Sequence, residues 1–396
     1  MTDNKRPLRV VFSIGALHGG GSERQLVTLL KALDRSRVEP ILYLVYRSGP
    51  LLSEVPSDVP VVAFSERCTR NLTFIPGLMH RLRVHDLRRF LIEAQADVSY
   101  DRTFLMTLIA ADAAQQAAIP NVSTIVTDPS LGFAPVAGRF QWWKRRLLHR
   151  LYMKSSLVLA NSAGAARSAE RFYGLPANSV QVLYNGVDAD HLRQVSAAPV
   201  EDEWWNRPAS KRIFRMVAAG RLNHEKGFHL LIDAIHQLRQ RGSDVDLRLA
   251  ILGEGPAEER LNQQISRLQL TEHVRLVGFR NNAPAWIRSA NLFVLPSLLE
   301  GMPNVLLEAM SVGTPVLSAD CPSGPREILD NGCCGMLCPV NSVPALIDSL
   351  RQFIDNEDLT TKLCANAAQR VRENFSIQHA ARTLEDHFER IAHRQQ

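Results

Sequence analysis

Two doubly wound α/β domains are predicted by three features of the sequence. Apolar, β-rich runs alternate with helix-length amphipathic segments, the alternation restarts after one polar stretch, and the glycine-rich and charged motifs fall in loops that follow strands. The first alternation runs through strand "LRVVFSIG", helix "SERQLVTLLKALDR" and strand "EPILYLVY", then strands "IPNVSTIVT" and "SSLVLANS". Near-continuous apolar strands separated by helices are the signature of a parallel sheet covered on both faces. The stretch "NGVDADHLRQVSAAPVEDEWWNRPAS" at 185–210 is polar and contains Pro, and reads as a linker. The rhythm then resumes with "FRMVAAG", "FHLLIDAIHQL", "VDLRLAILG", "VRLVGF", "NLFVLPS", "NVLLEAMSVG" and "TPVLSAD". The expected boundaries are an N-terminal domain at 1–188, a linker at 189–210, a C-terminal domain at 211–375, and a last helix at 376–396 able to pack back on the N-terminal domain. A chain of 396 residues, 45% hydrophobic and 22% charged, accommodates two such domains.

Composition excludes several classes. The apolar run near the N-terminus is about five residues, too short for a signal-peptide core, and no segment approaches the roughly 18 apolar residues of a membrane span. A cytoplasmic protein is therefore expected, one able to sit peripherally on the inner face of the cytoplasmic membrane. Its six cysteines are expected to be reduced and form no paired metal knuckles. The sequons at Asn71 and Asn121 are expected to be unused.

The net charge of +6 is unevenly distributed. Residues 1–200 carry 24 Lys and Arg against 16 Asp and Glu, a balance of +8; residues 201–396 carry 22 against 24, a balance of −2. Two clusters dominate the basic half, "RLRVHDLRRF" at 81–90 and "WWKRRLLHRLYMK" at 142–154. Arg and Lys interleaved with Trp and Leu suit an anionic membrane surface or an anionic acceptor, and equally an amphipathic helix with a solvated basic face. No nucleic-acid module accompanies the charge.

Ligands of open parallel sheets bind at the carboxyl ends of strands. In the first domain that edge carries "SIGALHGGGSERQ", where Gly19, Gly20 and Gly21 allow close backbone approach and Ser22 is a candidate cap for the next helix. In the second domain Gly220 ends a strand and is followed by Arg221 and Lys226, which suit a diphosphate. "LGEGP" and "VGFR" end two further strands. After "LFVLPS" come Glu300 and Gly301, with Asn304 a candidate cap for a helix starting at Val305, whose free amides attract a phosphate oxygen. Glu300 in the loop can accept hydrogen bonds from sugar hydroxyls, and Glu308 within the helix can hold a ribose diol.

Gly-Arg-x4-Lys-Gly at 220–227, Glu-x7-Glu at 300–308, "GTPVLSAD" at 313–320 and "NGVD" at 185–188 resemble the retaining glycosyltransferases of family 4, which have the GT-B fold: two Rossmann-like domains with a cleft between them. The resemblance implies a nucleotide-sugar donor, UDP-linked ahead of GDP-linked, bound mainly by the second domain. Arg221 and Lys226 would neutralise the diphosphate, amides at Asn304 and Val305 would hold its distal phosphate, Glu300 with Gly301 would face the donor sugar, and Glu308 the ribose. The base would rest at Gly278, Phe279 and Arg280, and Gly20 and Gly21 would approach the donor from the first domain.

It further implies catalysis without a cofactor or metal, and a glycan or lipid-linked acceptor of cell-surface polysaccharide synthesis entering through the first domain. The two D-x-D triplets, at 188–190 in the linker and at 244–246 in a helix-to-strand loop, lie off the ligand edge. One departure stands out: where relatives carry a catalytic-loop histidine, this chain has Thr127 and Asp128, making Asp128 the substitute candidate, with His18 another. A nucleotide-sugar epimerase and a catalytically silent sugar-nucleotide-binding subunit are the alternatives.

Overall fold

The computed structural model describes residues 6–68, 77–242 and 244–393; the sequon at Asn71 lies outside them. The chain divides into two units, residues 1–186 with 377–396, and residues 187–376.

Among the described residues, unit 1 is built on a seven-stranded, wholly parallel sheet in the order β3-β2-β1-β4-β5-β6-β7. The strands are β1 (Leu8–Ile14), β2 (Val38–Leu44), β3 (Val61–Ala63), β4 (Val98–Arg102), β5 (Asn121–Ile125), β6 (Leu157–Ala160) and β7 (Val180–Val182). Their side chains are almost all buried, as helices on both faces require. One face packs Phe12 and Tyr100 against Phe388 of the last helix, Ile377–His393, which belongs to this unit. Arg37 fixes that helix by pairing with Glu385, Asp386 and Glu389 at 2.7–2.9 Å. The chain reverses direction across the sheet between β1 and β4, leaving a crevice at their carboxyl ends.

Among the described residues, unit 2 has a six-stranded parallel sheet in the order β10-β9-β8-β11-β12-β13. The strands are β8 (Arg212–Ala219), β9 (Val245–Leu252), β10 (Val274–Gly278), β11 (Leu292–Leu295), β12 (Val316–Ala319) and β13 (Met336–Cys338). Here the order reverses between β8 and β11, the strands that precede the Arg221–Lys226 loop and the Glu300 loop.

Three local expectations need correction. Residues 189–210 are not an extended linker. They form helices Ala189–Val195 and Glu203–Asn206 within unit 2, and Trp204 and Trp205 are buried. Trp205 donates to Ser289 Oγ at 2.9 Å and packs against Trp286 with the rings tilted by 52°, so long-range packing orders a segment whose composition looks loop-like. Ser22 does not cap the first helix: Gly21–Ala32 starts after Gly20, and the Glu23 carboxylate accepts from the amides of Gly19 and Gly20 at 2.7 and 3.0 Å. Asn304 likewise opens helix Asn304–Ser311, with Pro303 in the cap position. Asn121 is buried in β5 and donates to Asp101 and Ser123, so its sequon is inaccessible to glycosylation.

Candidate functional site

The loops after β8 and β11 form the centre of the candidate site. At the end of β8 the chain leaves through Gly220, passes exposed Arg221 and closes one turn of 3₁₀ helix, His224–Lys226. Gly227 then adopts φ of +66°, and a Cβ there would stand 2.1 Å from the carbonyl oxygen of Pro296. Only glycine allows this turn to press against the end of β11. The result is a contact between residues far apart in sequence: Lys226 Nζ donates to Glu300 Oε1 at 2.6 Å. The Glu300 side chain is 9% exposed and that of Lys226 23%, so the pair is largely withdrawn from water but open on the lysine side.

Glu300 is further oriented by a residue that motif reading missed. Ser297, fully buried, donates from Oγ to Glu300 Oε1 at 2.6 Å. Cys321, just after β12, donates its thiol to the Ser297 carbonyl. Burial, and then the nearby Glu300 charge, push the Cys321 thiol up to about 12, so it acts as a neutral donor rather than a nucleophile. The signal for Ser297 in the sequence was a small hydroxyl residue three positions before Glu300 at a strand end.

The same sheet edge carries the remaining second-unit candidates. Asn304 and Val305 form the first turn of helix Asn304–Ser311, and Glu308 lies one turn further along it. Gly301 is buried ahead of that turn. The loops after β9 and β10 are stitched together by Gly253 N–H donating to the Gly278 carbonyl at 2.9 Å; Phe279 next to it is 52% exposed. Gly253, at φ of +129°, has no room for a Cβ, which would meet the Gly220 carbonyl oxygen at 2.0 Å. Arg280 lines a recess with Glu201, Asp202 and Trp286. A loop carrying Arg221 and Lys226, a helix N-terminus and the Glu300 carboxylate at one sheet edge can bind a polyphosphate together with its attached hydroxyl-bearing groups.

In unit 1, Gly20 is the cap of the first helix and Gly21 its first residue. With two neighbouring amides already satisfied by Glu23, this helix start is less available to a ligand than the glycines alone suggest. Asp128, after β5, is buried and caps helix Pro129–Ala137: one of its oxygens accepts from Ser130 N, Ser130 Oγ and Ser168 Oγ. His18 contacts Ser48 at 3.2 Å. Asp188 caps helix Ala189–Val195, and Asp246 is on β9 itself rather than in a loop, paired with buried Arg248 at 2.9 Å. No group of three His, Cys, Asp or Glu able to hold a metal occurs among the described residues.

The two basic clusters are helical, within Leu78–Glu93 and Gln141–Lys154. On the second, Trp142 and Trp143 are 59% and 66% exposed, flanked by exposed Phe140. Lys144 donates to the Ala137 carbonyl, and Arg145 to that of Phe172 while covering its ring at 4.4 Å. Among the described residues, no helix is long and apolar enough to cross a membrane.

Comparison with known proteins gives a consistent picture. The family described as "Glycosyltransferase Family 4" matches residues 19–191, and "Glycosyl transferases group 1" matches residues 202–372. An N-acetylgalactosamine-N,N'-diacetylbacillosaminyl-diphospho-undecaprenol 4-alpha-N-acetylgalactosaminyltransferase of Campylobacter jejuni is 30% identical over 213 residues, 54% of this chain and 54% of its own length. A D-inositol 3-phosphate glycosyltransferase of Pseudarthrobacter chlorophenolicus is 26% identical over 323 residues, 79% of this chain and 76% of its own. The chain spans about half the length of the curated relatives it matches at 30% identity or above. Among solved structures, Anabaena HepE in complex with UDP-glucose superposes with a TM-score of 0.77 at 24% identity, over 96% of this chain and 99% of that one.

Proposed function

We propose, for a chain with the GT-B fold that is related through both halves to the family 4 and group 1 glycosyltransferases, that it is a retaining, metal-independent glycosyltransferase. It moves a sugar from a nucleotide-sugar donor, UDP-linked in preference, to a glycan or lipid-linked acceptor of cell-surface polysaccharide synthesis. The observation that carries the reading is the Lys226–Glu300 pair at the point where the second sheet reverses, with Arg221 on the same loop and the start of helix Asn304–Ser311 at the same sheet edge. Support for the ligand classes comes from relatives: the HepE structure holds UDP-glucose, and the Campylobacter enzyme's name specifies a diphospho-undecaprenol acceptor.

In this reading, cleavage of the anomeric carbon–oxygen bond places negative charge on the departing diphosphate and positive charge on the sugar ring. Arg221, Lys226 and the amides meet the first, and the Glu300 carboxylate faces the second. Donors fixed before the reaction stabilise that charge without reorganisation. Glu308 holds the ribose, and Gly278 to Arg280 support the base. The acceptor enters through unit 1, where the Trp142–Trp143 face beside Lys and Arg suits a lipid surface. Asp128, spent on its helix cap, is at most a polar contact for the acceptor.

A thermal-shift screen across sugar nucleotides tests the donor class. The correct donor at about 100 times its Kd should stabilise the protein by roughly 2.7 kcal/mol. Proton NMR of the first-formed product then reads the anomeric configuration. Stabilisation by no sugar nucleotide would end the reading, and an inverted product would end the retaining part of it.

A further inference from the structure

Arg102 is the last residue of β4, 2% exposed, and among the described residues its guanidinium has only neutral partners. It donates to Tyr100 Oη at 3.2 Å, Asn185 Oδ1 at 3.2 Å and Ser22 Oγ at 3.4 Å. All three contacts exceed the 2.7–2.9 Å usual for a charge-assisted bond. The guanidinium cannot shed its proton to escape burial. Elsewhere this chain pairs such groups: fully buried Arg248 meets Asp246 at 2.9–3.0 Å and two carbonyls, and Arg37 meets three carboxylates.

The nearby carboxylates are committed elsewhere. Asp101 points to the opposite face of the strand, as successive residues must, and accepts from Thr107, Asn121 and Ser123. Glu23 is held by the amides of Gly19 and Gly20. A desolvated cation without a counter-ion costs several kcal/mol unless an anion is supplied.

Its position says where the anion comes from. Arg102 stands at the carboxyl end of β4, beside the point where the unit 1 sheet reverses between β1 and β4, the crevice that takes ligands in open α/β sheets. The partners converge there from three directions: Ser22 from the first turn of helix Gly21–Ala32, Tyr100 from β4 and Asn185 from the segment after β7. A Cβ added to Gly15 or Gly19, on the loop leaving β1, would meet nothing within 4 Å, so the space over that loop is open. The longest contact, to half-buried Ser22, is the one an incoming oxygen would replace.

We propose that Arg102, with Ser22 and Asn185, binds a phosphate oxyanion of the acceptor at the switch point of unit 1. This rests on the acceptor reading given above and deepens it: the acceptor is anionic, and a phosphate or diphosphate joined to it is gripped by a guanidinium rather than by the surface lysines and arginines.

The test uses the full chain saturated with UDP, so that the second-unit phosphate site is filled, and inorganic pyrophosphate as the probe at constant ionic strength. Pyrophosphate should raise the melting temperature of the parent beyond the rise from UDP alone. Arg102→Gln should need at least about tenfold more pyrophosphate for the same shift, and Arg102→Lys should fall between them. The shift from UDP itself should be equal in all three proteins. A pyrophosphate response that survives in Arg102→Gln overturns the proposal, as does a parent that responds to pyrophosphate no more than to chloride. A purely structural Arg102 would show as a lowered melting temperature without ligand and an unchanged pyrophosphate response. Failure of the donor reading would show separately, as a missing UDP shift in the parent.

Discussion

Replacing Glu300 by Gln should separate the sugar from the nucleotide in binding. One carboxylate oxygen of Glu300 receives both Lys226 Nζ and Ser297 Oγ at 2.6 Å, so this carboxylate and a diphosphate would compete for the Lys226 charge. The amide of Glu300→Gln ends the ion pair and releases the lysine charge. Free UDP should therefore bind as tightly as to the parent, or more tightly. The intact UDP-sugar loses its charged partner, and a hydrogen bond to a charged group is worth about 1.5–3 kcal/mol, so its affinity should fall by roughly 10- to 150-fold. Glu308→Gln should differ, weakening UDP and UDP-sugar together by about tenfold or more, because both ligands contain the ribose. Isothermal calorimetry with UDP and with the donor reads all four affinities, and denaturant unfolding controls for the loss of a partly buried pair. If Glu300→Gln weakens free UDP as much as the donor, or Glu308→Gln spares free UDP, the division of roles is wrong.

Gly227→Ala should misplace the same pair, because its Cβ would lie 2.1 Å from the Pro296 carbonyl oxygen at a φ of +66°; turnover should drop about 100-fold while far-UV circular dichroism stays native. Burial pushes Asp101 up to about 6, above its unfolded value, so its stabilising preference for the protonated form is complete below the unfolded pKa and is lost as pH rises through 6. Between pH 7.5 and 5 this one group should add on the order of 1 kcal/mol to unfolding stability, an increment absent from Asp101→Asn; equal pH profiles in urea melts would refute it. Sedimentation with anionic vesicles should weaken with salt, and replacement of Lys144, Arg145 and Arg146 by Ser should weaken it at low salt by about 1 kcal/mol per charge. Replacement of Trp142 and Trp143 by Ser should weaken the binding that persists at high salt. Unchanged sedimentation of both variants would remove this helix from any membrane role.

The βαβ rhythm was legible because strands buried on both faces, such as "LFVL" in β11, are continuous apolar runs that end in glycine or polar loops. The loops that carry the candidate residues could be read for the same reason, since they follow strand ends. The segment at 189–210 was misread because its order comes from contacts distant in sequence: Trp205 packs on Trp286, and Arg248 donates to the carbonyls of Trp204 and Trp205. Composition reports none of these. The caps were displaced by two residues, from Ser22 to Gly20, and by one, from Asn304 to Pro303, because Glu23 reaches back to the amides of Gly19 and Gly20 and the outcome depends on backbone angles. The candidate residues were legible as motifs but their contacts were not. Lys226 and Glu300 are 74 residues apart, and only folding showed that they share a bond, with Ser297 holding the acid in place. Arg102 carried no motif at all; that its guanidinium meets only neutral groups among the described residues is visible only in three dimensions.

Transfer of sugar with the leaving diphosphate neutralised by Arg221 and Lys226 is the central claim, and the direct measurement is the rate of UDP release from the matched donor and acceptor in excess EDTA. The parent should remain fully active, while Arg221→Ala and Lys226→Ala should each lose on the order of 100-fold in turnover, the scale of removing one fixed donor from a developing charge. Activity of either variant within a few-fold of the parent, or loss of parental activity in EDTA that manganese or magnesium restores, would contradict the account.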